Sequence, residues 1–155
     1  MQEKHFIWLA TLTAVVGIGI LYGISVVSSS TTLEGPFNVT YVFDGDTIGL
    51  DNGDVVRLLD IDTPEKGACY YDEAKEALTR LVLDQPVYLE RDGEDYDPYR
   101  RKLRYVYANN TLVNGNLVAQ GYAKIYNYSR DTAHQEDLRF LEKKAMEQHL
   151  GVWTC

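Results

Sequence analysis

What this sequence lacks narrows its function before any motif is read. It has no excess of basic charge: 15 Lys and Arg stand against 23 Asp and Glu, a formal net charge of −8. That is not the profile of a protein that tracks DNA with a broad basic face. Contact with nucleic acid would have to come from a few local cations or a bound metal. Cysteine is scarce, and Cys69 and Cys155 are too few for a Cys-only metal site or a dense disulfide scaffold. Repeats and low-complexity runs are missing. With 45% hydrophobic residues the chain is not short of apolar surface either, which excludes wholesale disorder.

The apolar residues are unevenly spread. Phe6 to Val27 reads FIWLATLTAVVGIGILYGISVV, 22 residues without a charge. At about 1.5 Å per residue such a helix spans the hydrocarbon core of a bilayer, roughly 30 Å. Lys4 and the free N-terminus precede it, which predicts a membrane anchor with the rest of the chain outside. A cleaved signal peptide is the alternative, with Val26–Ser28 as a small-residue cleavage site. The chain therefore reads as an anchor or signal over residues 1–30 and one soluble domain over residues 31–155. The domain carries the whole −8, since Glu3 and Lys4 cancel. Either form of export places both cysteines in an oxidising, extracytoplasmic setting, where a Cys69–Cys155 bridge competes with two separate thiols.

Within the domain, strand-like segments run over Phe37–Phe43, Thr47–Leu50 and Val55–Ile61. The last two are joined by Asp51-Asn52-Gly53-Asp54, a strong hairpin signal. A helix is predicted over Asp72–Leu83, with Ala74, Ala77, Leu78, Leu81 and Val82 on one face. Strands at Val87–Glu90 and Leu103–Ala108 flank a charged loop, Arg91–Arg101. A short helix over Asn114–Gln120 stops at Gly121, and the last helix runs from an N-cap at Thr132 to Leu150. A strand meander with helices inserted and appended argues for a small barrel with helices outside, and five strands match the oligonucleotide-binding (OB) barrel.

Two short stretches carry chemistry. Asp44-Gly45-Asp46-Thr47 lies between the first two strands; Arg57 through Asp62-Thr63-Pro64-Glu65 closes the hairpin. Asp44 and Asp46 are two apart and face one side of an extended chain, and the Thr-Pro bend turns Asp62 and Glu65 inward. Gathered carboxylates repel unless a cation sits between them, and hard oxygen ligands without His or Cys select Ca²⁺ or Mg²⁺ over zinc. Arg57 adds a fixed cation and Arg101 a second. A divalent ion with two bidentate donors suits a phosphodiester whose oxygens gain charge. Taken alone, Asp-Gly-Asp-Thr is also a common turn, and Arg101 sits in a run, Arg100–Arg104, that reads equally as a solvated face.

The stretches VFDGDTIGLDNGDVVRLLDIDTPE and DPYRRKLRYVYANNTLVNGNLVAQGYAKIY, with Gly151-Val152-Trp153 at the end, strongly resemble the staphylococcal nuclease family over residues 36–155. The resemblance implies a five-stranded OB-fold barrel with three helices and Ca²⁺-dependent hydrolysis of DNA or RNA, by a protein expected to be monomeric. It implies that Asp46 and Asp62 ligate calcium beside the Thr63 carbonyl, with Asp44 acting through water. Glu65 matches the general base, and Arg57 and Arg101 match the phosphate-contacting arginines. Tyr99 and Tyr126 fall where aromatics line the nucleotide pocket, although packing on the barrel explains them equally. Two departures stand out: Lys66–Tyr70 is shorter and less basic than the family's lysine-rich loop, and the chain is acidic. Both weaken binding of polyanions without removing a catalytic group. His134 and His149 read as solvated helix residues. A non-catalytic OB-fold binding module and a tethered adhesion domain compete with the enzyme. Neither requires Asp46, Asp62, Glu65, Arg57 and Arg101 together.

Overall fold

A computed structural model describes residues 32–126 and 133–155. The apolar run Phe6–Val27 and the expected N-cap Thr132 lie outside the described residues. Among the described residues no helix is long and apolar enough to cross a membrane.

Five strands close the barrel: β1 (Glu34–Val42), β2 (Thr47–Leu50), β3 (Val55–Leu58), β5 (Pro86–Glu90) and β6 (Lys102–Ala108). They pair in the order β3-β2-β1-β5-β6, and a parallel β3–β6 pairing shuts the ring. The hairpin forms where the sequence places it. Gly53 takes φ 88 at the tip, Leu50 N–H donates to the Asp54 carbonyl, and the register sets Thr47 opposite Arg57.

Three helices surround the barrel: α1 (Tyr71–Val82), α2 (Val113–Ala119) and α3 (Gln135–Glu147). Ala74, Ala77, Leu78 and Val82 of α1 are buried, as the helical spacing requires. Asp72 and Glu73 in its first turn and Arg80 in its last complement the helix dipole. The last helix is shorter than the expected Thr132–Leu150. It starts after His134, which lends no side-chain cap, and Leu150 leads instead into a 3₁₀ turn, Gly151–Thr154. There the Gly121 carbonyl accepts from Val152 N–H. A Cβ on Gly121 or Gly151 would collide with the other segment's backbone, so two glycines at positive φ weld the C-terminus to the end of α2.

The expected strand Val55–Ile61 is interrupted. β3 ends at Leu58, and a bend at Leu59-Asp60 precedes β4 (Ile61–Asp62), which pairs with the short strand Lys124–Ile125. Asp60 sits at φ 57, a left-handed position that Asp tolerates. Three buried contacts hold it. Leu59 N–H donates to the Arg104 carbonyl, Asn114 Nδ2 donates to the Leu59 carbonyl at 2.8 Å, and Tyr105 OH donates to the Asp60 carboxylate at 2.7 Å. Alternation of apolar residues cannot show such a bend, because its cause lies in α2 and β6.

The run Arg100–Arg104 is not a solvated face. Arg104 is only 3% exposed and reaches Glu34 at 2.9 Å and Asp95 at 2.6 Å, while Lys102 pairs with Asp54 at 2.8 Å. His134 is not a solvated helix residue either. Its Nε2 lies 2.9 Å from Glu90 and 3.2 Å from Tyr107 OH, and Tyr105 packs edge-on to its ring at 4.5 Å. His149 is exposed, as expected.

Cys69 and Cys155 are joined by a disulfide, their Cα atoms 6.4 Å apart. It ties the end of the chain to the residues just before α1.

Candidate active site

The bend at Asp60 brings the two acidic stretches together. Gly45 makes the approach possible, since a Cβ there would lie 2.7 Å from Thr63 Oγ1. Asp46 is buried and spans the joint. One oxygen accepts from Thr63 N–H and Thr63 Oγ1, each at 2.9 Å; the other faces Arg57 Nε at 3.1 Å and Thr47 Oγ1 at 3.1 Å.

Arg57 is the hub. Its Nη1 donates at 2.7 Å to the carbonyls of both Leu58 and Ile61, one on each side of the bend. Its Nη2 donates to Asp62 at 2.9 Å. Three of the five guanidinium N–H groups donate hydrogen bonds among the described residues and Nε ion-pairs with Asp46, so the fork is locked in one direction. The Tyr105–Asp60 and Asn114–Leu59 contacts therefore aim Arg57 by fixing the carbonyls it grips.

An open cleft of about 310 Å³ collects the remainder: Asp44, Asp46, Arg57, Asp62, Thr63, Glu65, Tyr71, Tyr99, Arg101 and Tyr126 all line it. Glu65 is exposed at its rim. Arg101 Nε binds Asp97 at 2.6 Å, and its Nη1 comes 3.4 Å from Thr47 Oγ1. Asp97 also accepts from the Tyr99 and Arg101 backbone N–H groups, each at 2.9 Å. Burial pushes the Asp97 carboxyl up, but the hydrogen bonds and charge of Arg101, with the Tyr99 N–H, hold it below the usual range. Tyr99, 79% exposed, stacks against the Arg101 guanidinium at 5.5 Å. Tyr126 is exposed beside it, with its backbone N–H bonded to the Asp60 carbonyl. Neither tyrosine is packed in the core. Beneath them lies a recess of about 50 Å³ walled by Leu59, Leu103, Pro98 and the two rings.

Among the described residues no three His, Cys, Asp or Glu side chains are grouped closely enough to hold a metal ion by themselves. Arg57 stands between Asp46 and Asp62 and supplies part of the countercharge. It does not supply all of it. Burial raises the Asp46 carboxyl to about 6, with the charge of Asp44 adding to the rise and Arg57 opposing it. A buried carboxylate short of positive charge, in a wall of oxygen donors open to solvent, fits a hard divalent cation.

The candidates Asp44, Asp46, Arg57, Asp62, Thr63, Glu65, Tyr99, Arg101 and Tyr126 all line this cleft, whereas the residues that aim them were not legible in the sequence, with one exception. Asp97 carried a usable signal, because an Asp before Pro98 bonds its own backbone two residues on. Tyr105, Asp60 and Asn114 carried none.

Comparison with known proteins agrees with this geometry. Residues 55–155 match the family described as staphylococcal nuclease homologue. The chain is 35% identical to Escherichia coli "Protein ParB" over 157 aligned positions, covering 94% of this chain and 85% of that protein. It is 30% identical to the thermonuclease of Staphylococcus hyicus over 81% of this chain and 79% of that protein. It is 32% identical to a Haemophilus influenzae protein described as an uncharacterized endonuclease, over 84% and 72%. On that match, and with the barrel closed as described, the chain belongs to the staphylococcal nuclease homologue family.

Proposed function

We propose that this protein is a calcium-dependent nuclease that hydrolyses phosphodiester bonds of DNA or RNA. The observation that carries the reading is the convergence of Asp46, Asp62, Glu65, Arg57 and Arg101 on one open cleft. The nuclease activity itself accords with the relatives described as thermonuclease and endonuclease. Asp46, Asp62 and the Thr63 carbonyl are the donors for Ca²⁺, with Asp44 behind them. When bound, the ion supplies positive charge at a phosphate oxygen and polarises water.

The chain's own residues do the remainder. Arg57, locked by its carbonyl grip, presents its remaining N–H to a phosphate oxygen without reorganising. Arg101 does the same from the opposite wall, with Asp97 fixing its fork. Glu65, free at the rim, takes the proton of the attacking water. Tyr99 and Tyr126 flank the sugar and base.

Export fits the same reading. The charge-free run Phe6–Val27 serves as an anchor or signal, and a disulfide persists in an oxidising compartment. The test is plasmid degradation by the full chain in calcium, in magnesium and in excess chelator. Activity is expected in calcium and lost in chelator. Full activity in chelator overturns the metal-assisted mechanism, and binding without cleavage in calcium makes the protein a binding module.

A further inference from the structure

Beside Asp44, Tyr41 on the outer face of β1 is 56% exposed, and Phe43, just past the strand's end, is 44% exposed. They lie two residues apart on one side of the strand, with the buried Val42 pointing the other way. Their rings meet edge-to-face at 4.8 Å. Gly49 is the β2 partner of Tyr41, so Tyr41 meets no side chain directly across the strand pair, and Phe43 lies over the glycine. Lys75 of α1 holds its ammonium 5.8 Å from the Tyr41 ring centre.

We propose that Tyr41, Phe43 and Lys75 form a base-stacking platform that grips the single-stranded continuation of the substrate beyond the cleft. The proposal rests on the nuclease reading for the identity of the ligand. Two features connect the patch with the cleft. Phe43 immediately precedes Asp44, and Tyr71, which lines the cleft, lies one helical turn before Lys75. An exposed aromatic pair beside a binding site calls for a partner with a flat face, and Lys75 adds a cation for its phosphate. The chemistry also answers the charge problem. An acidic chain gains little from long-range attraction to a polyanion, whereas stacking is indifferent to sequence and far less sensitive to salt.

The experiment follows binding by fluorescence anisotropy, using the full chain in detergent with chelator present. The probes are a labelled 16-nucleotide thymidine strand and an abasic strand of the same length. Tyr41→Ala and Phe43→Ala are each expected to weaken the thymidine strand about 10-fold, with the abasic strand unaffected and Tyr41→Phe retaining affinity. Phe43→Leu keeps apolar volume without a π face and is expected to lose the same affinity, which keeps the test decisive if an alanine variant unfolds. Unchanged affinity in the alanine and leucine variants, or equal losses on the abasic strand, overturns the platform. A wild-type chain that shows this stacking pattern yet cleaves nothing in calcium overturns the nuclease reading and leaves the platform standing.

Discussion

The two halves of the cleft are built on opposite terms. On the hairpin half, Asp46 and Arg57 are buried and bonded to one another and to the backbone on either side of a bend. On the other half, Glu65 is exposed, and Tyr99, Arg101 and Tyr126 stand on a rim whose main hold is the Asp97 carboxylate. The first half cannot move without leaving a charge unpaired in the interior. The second is open to solvent, with Arg101 held by Asp97. A buried charge on one wall and solvent-open groups on the other suit a phosphoryl centre that must be polarised while its strand enters and leaves.

The sharpest way to break this comparison is to remove one arginine from each half. Arg57→Ala is expected to lower kcat by about 10²–10³-fold, the scale for deleting one preorganised donor. It should also cost roughly 3–5 kcal/mol of stability, because Asp46 stays buried without its partner. Arg101→Ala should lose a similar factor in rate and a smaller amount of stability, since Asp97 keeps its two backbone N–H donors when the guanidinium is removed. Steady-state kinetics beside thermal melts separate the cases. Equal stability losses would mean that the two walls are not different in kind.

Glu65→Gln probes the solvent-open half by itself. The rate should fall by roughly 10²-fold, the lower end for a lost general base, while Tm and calcium affinity hold, since the side chain is exposed. Calcium titration against kcat is the check. A fall in calcium affinity as large as the fall in rate would make Glu65 a ligand.

The disulfide lies beside the Glu65 end of that half. Cys69 and Cys155 border a surface hollow shared with Thr63, Pro64 and Glu65, and the bridge closes a separation of 86 residues. Chain-entropy arguments give such a closure about 4–5 kcal/mol, and measured losses run nearer 2–4. Cys155→Ser should lower the denaturant midpoint accordingly. It should also speed hydrogen exchange at Ala68, whose N–H caps the Glu65 carbonyl. Exchange at Ala68 unchanged by the substitution would show that the bridge steadies the terminus alone.

The same division explains what could be read from the sequence. The hairpin, the face of α1 and the site candidates were legible because each is a local pattern: an Asn-Gly turn, a helical period, carboxylates two or three residues apart. The bend at Asp60, the shorter α3 and the burial of Arg104 and His134 were not. Each depends on a partner tens of residues away, Tyr105 for Asp60, Glu34 for Arg104 and Glu90 for His134. Local patterns pick out candidate groups for chemistry, and tertiary partners decide where those groups point.

The smallest effect tests whether the buried half holds the ion at all, through its dependence on pH. Asp46 is raised from 3.8 to about 6, chiefly by burial, in the folded chain without metal. The folded state then binds this proton more tightly than the unfolded state, so on this account stability falls as pH rises through that interval. Asp54, Asp95 and Asp97 are all lowered, so their contributions are present above the ordinary carboxylate range and lost only as pH falls below it. Between pH 4 and 6, roughly, Asp46 is therefore read with little interference from them. Calcium requires the charged carboxylate, and proton and cation compete for it. Calcium affinity should be level above about pH 6 and fall by at most about tenfold per pH unit below it, so roughly tenfold is lost by pH 5. Saturating calcium should cancel or reverse the stability slope seen in chelator, and Asp46→Asn should remove the slope altogether. Calorimetric titrations at pH 7 and 5, with urea unfolding in calcium and in chelator, measure both arms. A calcium affinity that does not change over that interval would place the ion away from Asp46 and leave Arg57 as that carboxylate's sole countercharge.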